Sequence, residues 1–529
     1  MKLTDIRKPG FDKTPWEAKG YVFPKFDIQA VRERTYQSPT WIHFGAGNLF
    51  RAFPAAALQQ ILDAGKYDRG VIVVGGHDTE AIERNYHAND NLTLLAILKS
   101  DGSVEKRVIA SVTEALRSDP SLTEDAARLA AIFQNPSLQM VSFTITEKGY
   151  AAPEDDRALG LLPQRPMGKV AALLLKRFEA GAYPITLQSM DNCAHNGDVV
   201  RDAVQSYAKT WIEAGLAPAE FLNYLQDKSL VAYPWSMIDK ITPRPNEAVQ
   251  DMLREDGFAD AEIGTTAKGT LVGAFVNAEE TEYLVLEDTY TNGRPPLELG
   301  GVLFADRQTV DMVEKMKVGT CLNPLHTAMS IFGCLLGYTR ISEEMKDPDI
   351  VDFITKMAYK ESMPVVADPG VINPVDFLEA VLKRRLPNPF LPDAPQRIAE
   401  DSSQKIPIRF GQTIQIYLDR GLDLDELILV SLTCAGYARY LRGIDDEGKA
   451  FTPSPDPKLE ELRAIVAGLE VKEVAQDMSC LQSLFSRADV FGVDLYKAGI
   501  GERVEAMTAE LYGGVGAVRR TLHEYVTKR

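Results

Sequence analysis

Two hydrophobic periodicities divide the chain. Across its first half, short unbroken apolar runs alternate with segments whose apolar positions recur every third or fourth residue. The runs at 41–44, 71–74, 92–98, 106–112, 140–146 and 185–190 are rich in Val, Ile and Leu, and polar or glycine-containing stretches bound them. That pattern predicts strands. Segments 55–64, 122–133, 169–179 and 197–214 carry helical spacing. Strands alternating with helices predict a mostly parallel sheet. From about residue 286 helical spacing takes over, at 305–317, 325–336, 342–360, 374–383, 408–420, 424–441, 458–469, 471–485 and 501–526. Residues 1–39, with Pro9, Pro15, Pro24 and Pro39, read as an irregular arm. The expected organisation is an arm over 1–39, an α/β domain over 40–285 and a predominantly α-helical domain over 286–529.

Chemistry first becomes visible where the strand at 41–44 meets the helix at 55–64. Between them lies GAGNLFR, residues 45–51. Glycines at 45 and 47 let backbone N–H groups approach a pyrophosphate closely. Asn48 opens a helix whose N-terminal dipole favours an anion, and Arg51 adds a cation. The usual third glycine would fall at position 50, where Phe50 stands. With the strand at 71–74 this gives the β–turn–α–β opening of a Rossmann-type dinucleotide-binding domain. A tight turn without a ligand fits the same residues. The second strand runs into GGHD. Asp78 is placed to accept from adenosine ribose hydroxyls and to repel a 2′-phosphate, which favours NAD over NADP. An N-cap for the helix that follows explains Asp78 equally well.

Two further segments carry candidate site residues. SMDNCAHNGD, 189–198, follows a strand and precedes a helix, the place where open parallel sheets bind ligands. Asn192 there is a donor to a substrate oxygen, whereas Asp191 and Asn196 read as caps of the following helix. In KVGTCLNPLHTAM, 317–329, Asn323 precedes a proline and is a natural N-cap. His326 falls in the first turn, where the helix dipole holds it neutral. Lys317 upstream is a candidate general base, since a desolvated lysine loses its charge easily. A surface lysine, a capping asparagine and a core histidine remain the alternative for these three.

Composition narrows the function classes. Against 58 Lys+Arg stand 75 Asp+Glu, a net charge of −17, which excludes a general nucleic-acid binder. No apolar run is long enough to span a bilayer and no apolar leader opens the chain, so no membrane partner is expected. The five cysteines form no CxxC pair and suit reduced thiols in the cytoplasm. The six histidines have no metal-ligand spacing. A cytoplasmic enzyme acting on a small molecule is the leading class, with the oligomeric state open.

Together these motifs resemble the mannitol dehydrogenase family, the polyol-specific long-chain dehydrogenases and reductases. VSFTITEKGY (141–150), PWSMIDKITP (234–243), ARYLRG with DDEG (438–448) and the Asp456-Pro457 pair extend the resemblance from about 40 to about 500. It implies an N-terminal Rossmann-type domain, a largely helical C-terminal domain and NAD(P) chemistry without a metal. By the family's pattern Lys317 is the base, Asn323 and Asn192 are oxyanion donors, and His326 orients the substrate. Asp239 contacts the substrate, and Glu147 lines the nicotinamide side. One departure concerns spacing: the family has four residues between its Lys and Asn, and this chain has five, 318–322. On a continuous α-helix the extra residue turns the lysine by about 100°, so the Lys317 role requires an irregular segment, which Gly319 permits.

The resemblance implies hydride transfer between a linear polyol or aldonate and its keto form. A sugar-acid carboxylate needs cations, and Arg340, Arg384, Arg385, Lys405 and Arg409 supply them in the helical half. Arg385 and Lys405 are the expected substrate contacts. That basic content favours the D-mannonate/D-fructuronate pair over mannitol/fructose. A catalytically silent dinucleotide-binding protein is the remote alternative.

Overall fold

The computed structural model describes residues 1–76 and 78–529. The chain forms two compact units, one comprising Met1–Lys99 and Ser103–Asp311, the other Ser100–Gly102 and Met312–Arg529. Among the described residues no helix is long and apolar enough to cross a membrane.

The first unit is built on a six-stranded, wholly parallel sheet. Its strands are β1 (Trp41–Phe44), β2 (Val71–Gly75), β3 (Val112–Arg117), β4 (Met140–Phe143), β5 (Ile185–Ser189) and β6 (Val231–Ala232), in the order β3-β2-β1-β4-β5-β6. That is the dinucleotide-binding order, with its reversal between β1 and β4. β1, β2, β4 and β5 are buried along their whole length, which explains their unbroken apolar runs. Alternation sends Ile42, Phe44, Val141 and Phe143 to one core face, packed by helices Pro166–Glu179 and Asn196–Glu213. Trp41, Val71, Val73 and Met140 meet the helix Pro54–Asp63 on the other.

Several expected boundaries move. The apolar run at 106–112 spans a change of sheet. Val104–Ile109 pairs antiparallel with Thr93–Leu98 in a separate four-stranded sheet, and β3 begins only at Val112. At the crossover the Ala110 N–H donates to Gln59 Oε1 at 2.8 Å and the Ser111 hydroxyl to the Ala55 carbonyl at 2.6 Å, so no ladder is needed there. The arm over 1–39 is not wholly irregular. Ile28–Gln37 is a helix capped by Asp27, and Tyr21–Val22 adds a strand beside Val104–Ile109. The break expected near 285 lies inside a third sheet, where Tyr283–Glu287 pairs with Ser236–Asp239 and Leu303–Ala305.

The second unit is helical. The helix Ile428–Leu441 is buried on nearly every side and packs against Asn323–Leu335 and Gly501–Leu511. Gly436 permits the first crossing, since a Cβ there would lie 2.9 Å from the Phe332 ring. Several long helical patterns are interrupted. Segment 342–360 breaks before Pro348, 501–526 breaks at Gly513–Gly516, and in 471–485 only Leu481–Phe485 is helical. Four π-helical turns replace α-helix at Lys317–Cys321, Met357–Ser362, Val381–Arg385 and Pro407–Gly411.

Candidate active site

In the first unit the candidate residues gather at the carboxyl ends of β1, β2, β4 and β5. Gly45 has φ +121°, and a Cβ on it would lie 2.1 Å from the Thr144 carbonyl oxygen, so only glycine fits. A Cβ on Gly47 would meet nothing within 4 Å among the described residues, the room a phosphate cradle requires. Asn48 begins a short helix, Asn48–Ala52, and Pro54 starts the next. Phe50, in the third glycine's place, stacks on His43 at 4.1 Å. His43 is fully buried between the Ser142 and Thr144 hydroxyls, and burial depresses its pKa to about 3.

Arg51 departs from expectation. It is 1% exposed, and its guanidinium donates to the Gly273 carbonyl at 3.0 Å and to Asn48 Oδ1 at 2.9 Å. It braces the turn from inside and is not a phosphate contact. Asp78 lies just past β2 and makes no side-chain capping bond to the helix Thr79–Asn85. One carboxylate oxygen instead accepts from the Thr266 hydroxyl at 2.6 Å.

At the end of β5, Asn196 is a clamp more than a cap. Its amide donates to the Asp191 carbonyl and to Ser236, whose N–H donates back to Asn196 Oδ1. The Asp191 carboxylate likewise serves the chain beyond β4, not the helix. His195 stacks on Trp235 at 4.0 Å. Asn192 is exposed in this loop, and Glu147 is exposed at the start of the turn Glu147–Tyr150. Asp239 is buried at the end of the strand Ser236–Asp239.

In the second unit the Lys–Asn–His segment shows how the extra residue is accommodated. Lys317–Cys321 forms a π turn, with the Leu322 N–H donating to the Lys317 carbonyl at 3.2 Å, and the α-helix starts at Asn323. A π turn takes up one more residue than α-helix, so the insertion need not rotate Lys317 away. Lys317 is 5% exposed. Asn323 is the first helical residue, one place later than the expected cap, and Pro324 follows it. His326 Nε2 lies 4.0 Å from Asp393 Oδ2 and has no hydrogen-bond partner. Its pKa falls to about 4. Burial is the main cause, Asp393 opposes it, and Arg409, Arg385 and Arg397 add to it. The expectation of a neutral imidazole stands, with burial as its cause.

Cations converge on this histidine. Arg385 is 2% exposed on one π turn. Arg409, on another that packs against Lys317–Cys321, donates to Thr327 Oγ1 and to the Asn323 carbonyl at 3.4 Å. Neither partner is a carboxylate, and burial lowers the Arg409 pKa to about 10. Lys405 donates to the Ile398 carbonyl at 3.1 Å, and its pKa is lowered by burial and then by Arg409. Arg340 and Arg384 are exposed, outside this cluster. Asp393, ion-paired to Arg397, was not singled out by the sequence pattern. Its only signal was an i,i+4 acid–base spacing, which is common on surfaces.

Comparison with known proteins bears on both units. Residues 39–299 match the model of the mannitol dehydrogenase Rossmann domain, and 309–511 that of the mannitol dehydrogenase C-terminal domain. The chain is 47% identical over 529 residues to a D-mannonate oxidoreductase of Thermotoga maritima, covering 97% of each. It is 32% identical over 459 residues to a mannitol 2-dehydrogenase of Pyrenophora tritici-repentis, covering 82% of this chain and 76% of that protein. Among solved structures, Pseudomonas fluorescens mannitol 2-dehydrogenase in ternary complex with NAD and D-mannitol is similar, with a TM-score of 0.67 and 26% identity. It covers 96% of this chain and 97% of that one. With a dinucleotide-type sheet, a helical unit carrying the Lys–Asn–His segment, and family models matching nearly end to end, the chain belongs to the mannitol dehydrogenase family.

Proposed function

We propose that the protein is an NAD-dependent, metal-independent oxidoreductase that interconverts D-mannonate and D-fructuronate. The observation that carries the choice of a sugar acid is the pair of cations Arg385 and Arg409 near a neutral His326, with Lys405 beside Arg409. The Arg409 guanidinium donates to neutral oxygens, and a substrate carboxylate beside it would offset the cost of burying that charge. The near full-length likeness to a D-mannonate oxidoreductase supports the same choice.

Gly45, Gly47 and Asn48 would hold the dinucleotide's pyrophosphate, and Asp78 the adenosine ribose. Gly47's open face and the glycine-only geometry at 45 fit such a group. A dinucleotide held there would supply the acceptor for a hydride from the carbinol carbon and, in the reverse direction, its donor. Lys317, as the amine, takes the hydroxyl proton during oxidation and gives it back during reduction. Asn323 and Asn192 donate to the oxygen as charge develops on it, and one such donor is worth roughly 2.7–4 kcal/mol. His326 orients the substrate, Asp239 reads a hydroxyl, and Glu147 lines the nicotinamide side. The cytoplasm suits five cysteines that form no disulfide among the described residues.

The alternative pair is mannitol/fructose, favoured by the likeness to mannitol 2-dehydrogenases. The π turn at Lys317–Cys321 supports an active protein over a silent one, since it takes up one residue more than α-helix. An NAD(H)-coupled panel of fructuronate, tagaturonate, fructose and their reduced partners tests the reading. Fastest turnover of fructuronate and mannonate is expected. Preference for fructose would promote the alternative, and NADH binding without turnover would mean a silent protein.

A further inference from the structure

Asp191 lies one residue before Asn192, yet its carboxylate serves a different strand. Beyond Phe143 the chain leaves β4, and the N–H groups of Ile145 and Thr146 need new acceptors. Asp191 Oδ2 accepts from the Ile145 N–H at 2.8 Å and from the Tyr150 hydroxyl at 2.6 Å, and Oδ1 accepts from the Thr146 N–H at 3.2 Å. Thr146 sits between these bonds with φ +63° and ψ 161°. Glycine alone occupies that region without strain, and a β-branched residue persists there only when its surroundings over-determine it. The surroundings are this carboxylate, 7% exposed, and the Tyr150 ring, whose hydroxyl also bonds Ser189 Oγ at 2.7 Å.

The same residue anchors its own loop. The Asp191 carbonyl accepts from the Cys193 N–H at 3.0 Å and from Asn196 Nδ2 at 3.0 Å, closing the loop that presents Asn192. One residue thus fixes two segments. Its side chain holds the turn that begins at Glu147, and its main chain holds the loop of Asn192. We infer that Asp191 is a positioning residue that keeps the strained Thr146 turn, and with it Glu147, in register with the Asn192 loop at the ends of β4 and β5. The inference rests on the oxidoreductase reading above, though not on which keto sugar is reduced.

The mechanism makes a specific demand. Asp191→Asn keeps one acceptor oxygen but sets an NH2 against the donors of the other, so at least one of the three loses its acceptor and the turn relaxes by undoing the φ of Thr146. Replacing Thr146 with glycine makes the native conformation accessible without the carboxylate, so it should restore what the first change loses. The test compares Asp191→Asn, Tyr150→Phe and the double variant Asp191→Asn/Thr146→Gly. Amide exchange of segment 141–150, thermal melting and steady-state kinetics are read with NADH and the wild type's best keto substrate.

Expected are faster exchange in 141–150 for Asp191→Asn, a kcat at least tenfold lower with KM changed less than threefold, and recovery of kcat by threefold or more in the double variant. Unchanged exchange overturns the inference, and so does a lower melting temperature with kcat within twofold of wild type. Failure of the glycine to recover kcat also overturns it. If Asp191→Asn does not fold, Tyr150→Phe decides alone, with faster exchange and a threefold loss of kcat supporting and either one absent refuting. A wild type that reduces no keto sugar defeats the functional reading instead, and the exchange measurement still decides this one.

Discussion

His326 stays uncharged because burial outweighs the attraction of Asp393, and neighbouring guanidiniums push in the same direction. Its folded pKa of about 4 lies below the ordinary histidine value of 6.5, so the unfolded chain takes up its proton first as pH falls. The stability involved is present above about pH 6.5 and is lost as pH drops towards 4. His326→Gln should therefore lose less stability than wild type over that interval, which melting curves at a series of pH values would check. Lys317→Ala should remove most turnover while leaving NADH binding near wild type, because general acid–base catalysis supplies about 10²–10⁴-fold. Retention of more than about a tenth of kcat would move the base elsewhere, Lys315 first. Asp78→Ala should narrow the preference for NADH over NADPH, read as the ratio of kcat/KM for the two. Lys317, Asn323 and His326 could be proposed together from the sequence because a short segment contains them all. The fate of Arg51 could not, since its acceptor Gly273 lies 222 residues away.

At the level of elements, the π turn at Lys317–Cys321 takes up one residue more than α-helix would, which matches the one extra residue between Lys317 and Asn323. If it acts as a shim, deletion and insertion have opposite consequences. Deleting Gly319 lets the segment close as α-helix with the direction of Lys317 kept, and kcat should stay within about tenfold. Inserting an alanine after Gly319 rotates the lysine by about 100° and should cost at least tenfold, with melting temperatures showing that both variants fold. Strands were the most readable elements. β1 matches its predicted limits because burial on both faces leaves an uninterrupted apolar run. The same rule fails at 106–112, where one apolar run serves two sheets and only the bonds from Gln59 and Ser111 mark the crossing. π turns leave no trace in an apolar pattern of helical period: Arg409 reads simply as helix, the predicted helix at 374–383 stops short of Arg385, and only the spacing to Asn323 asks for an irregular segment after Lys317.

For the molecule as a whole, the division between a dinucleotide-type sheet and a helical unit was visible in the change of periodicity, while its position was not. Leu303–Ala305 pairs back onto Tyr283–Glu287, and that long-range pairing carries the first unit on to Asp311. The claim that joins the fold to a particular reaction is that the helical unit's buried cations exist to hold a sugar-acid carboxylate. Arg385 is the most buried of them, and a charged hydrogen bond lost there is worth about 1.5–3 kcal/mol, roughly 10–150-fold. The most direct measurement is the ratio of kcat/KM for fructuronate to that for fructose, in wild type and in Arg385→Leu. A ratio well above one in wild type that falls by about tenfold or more in the variant is the predicted result. A wild-type ratio below one, or equal losses on both substrates, would contradict it.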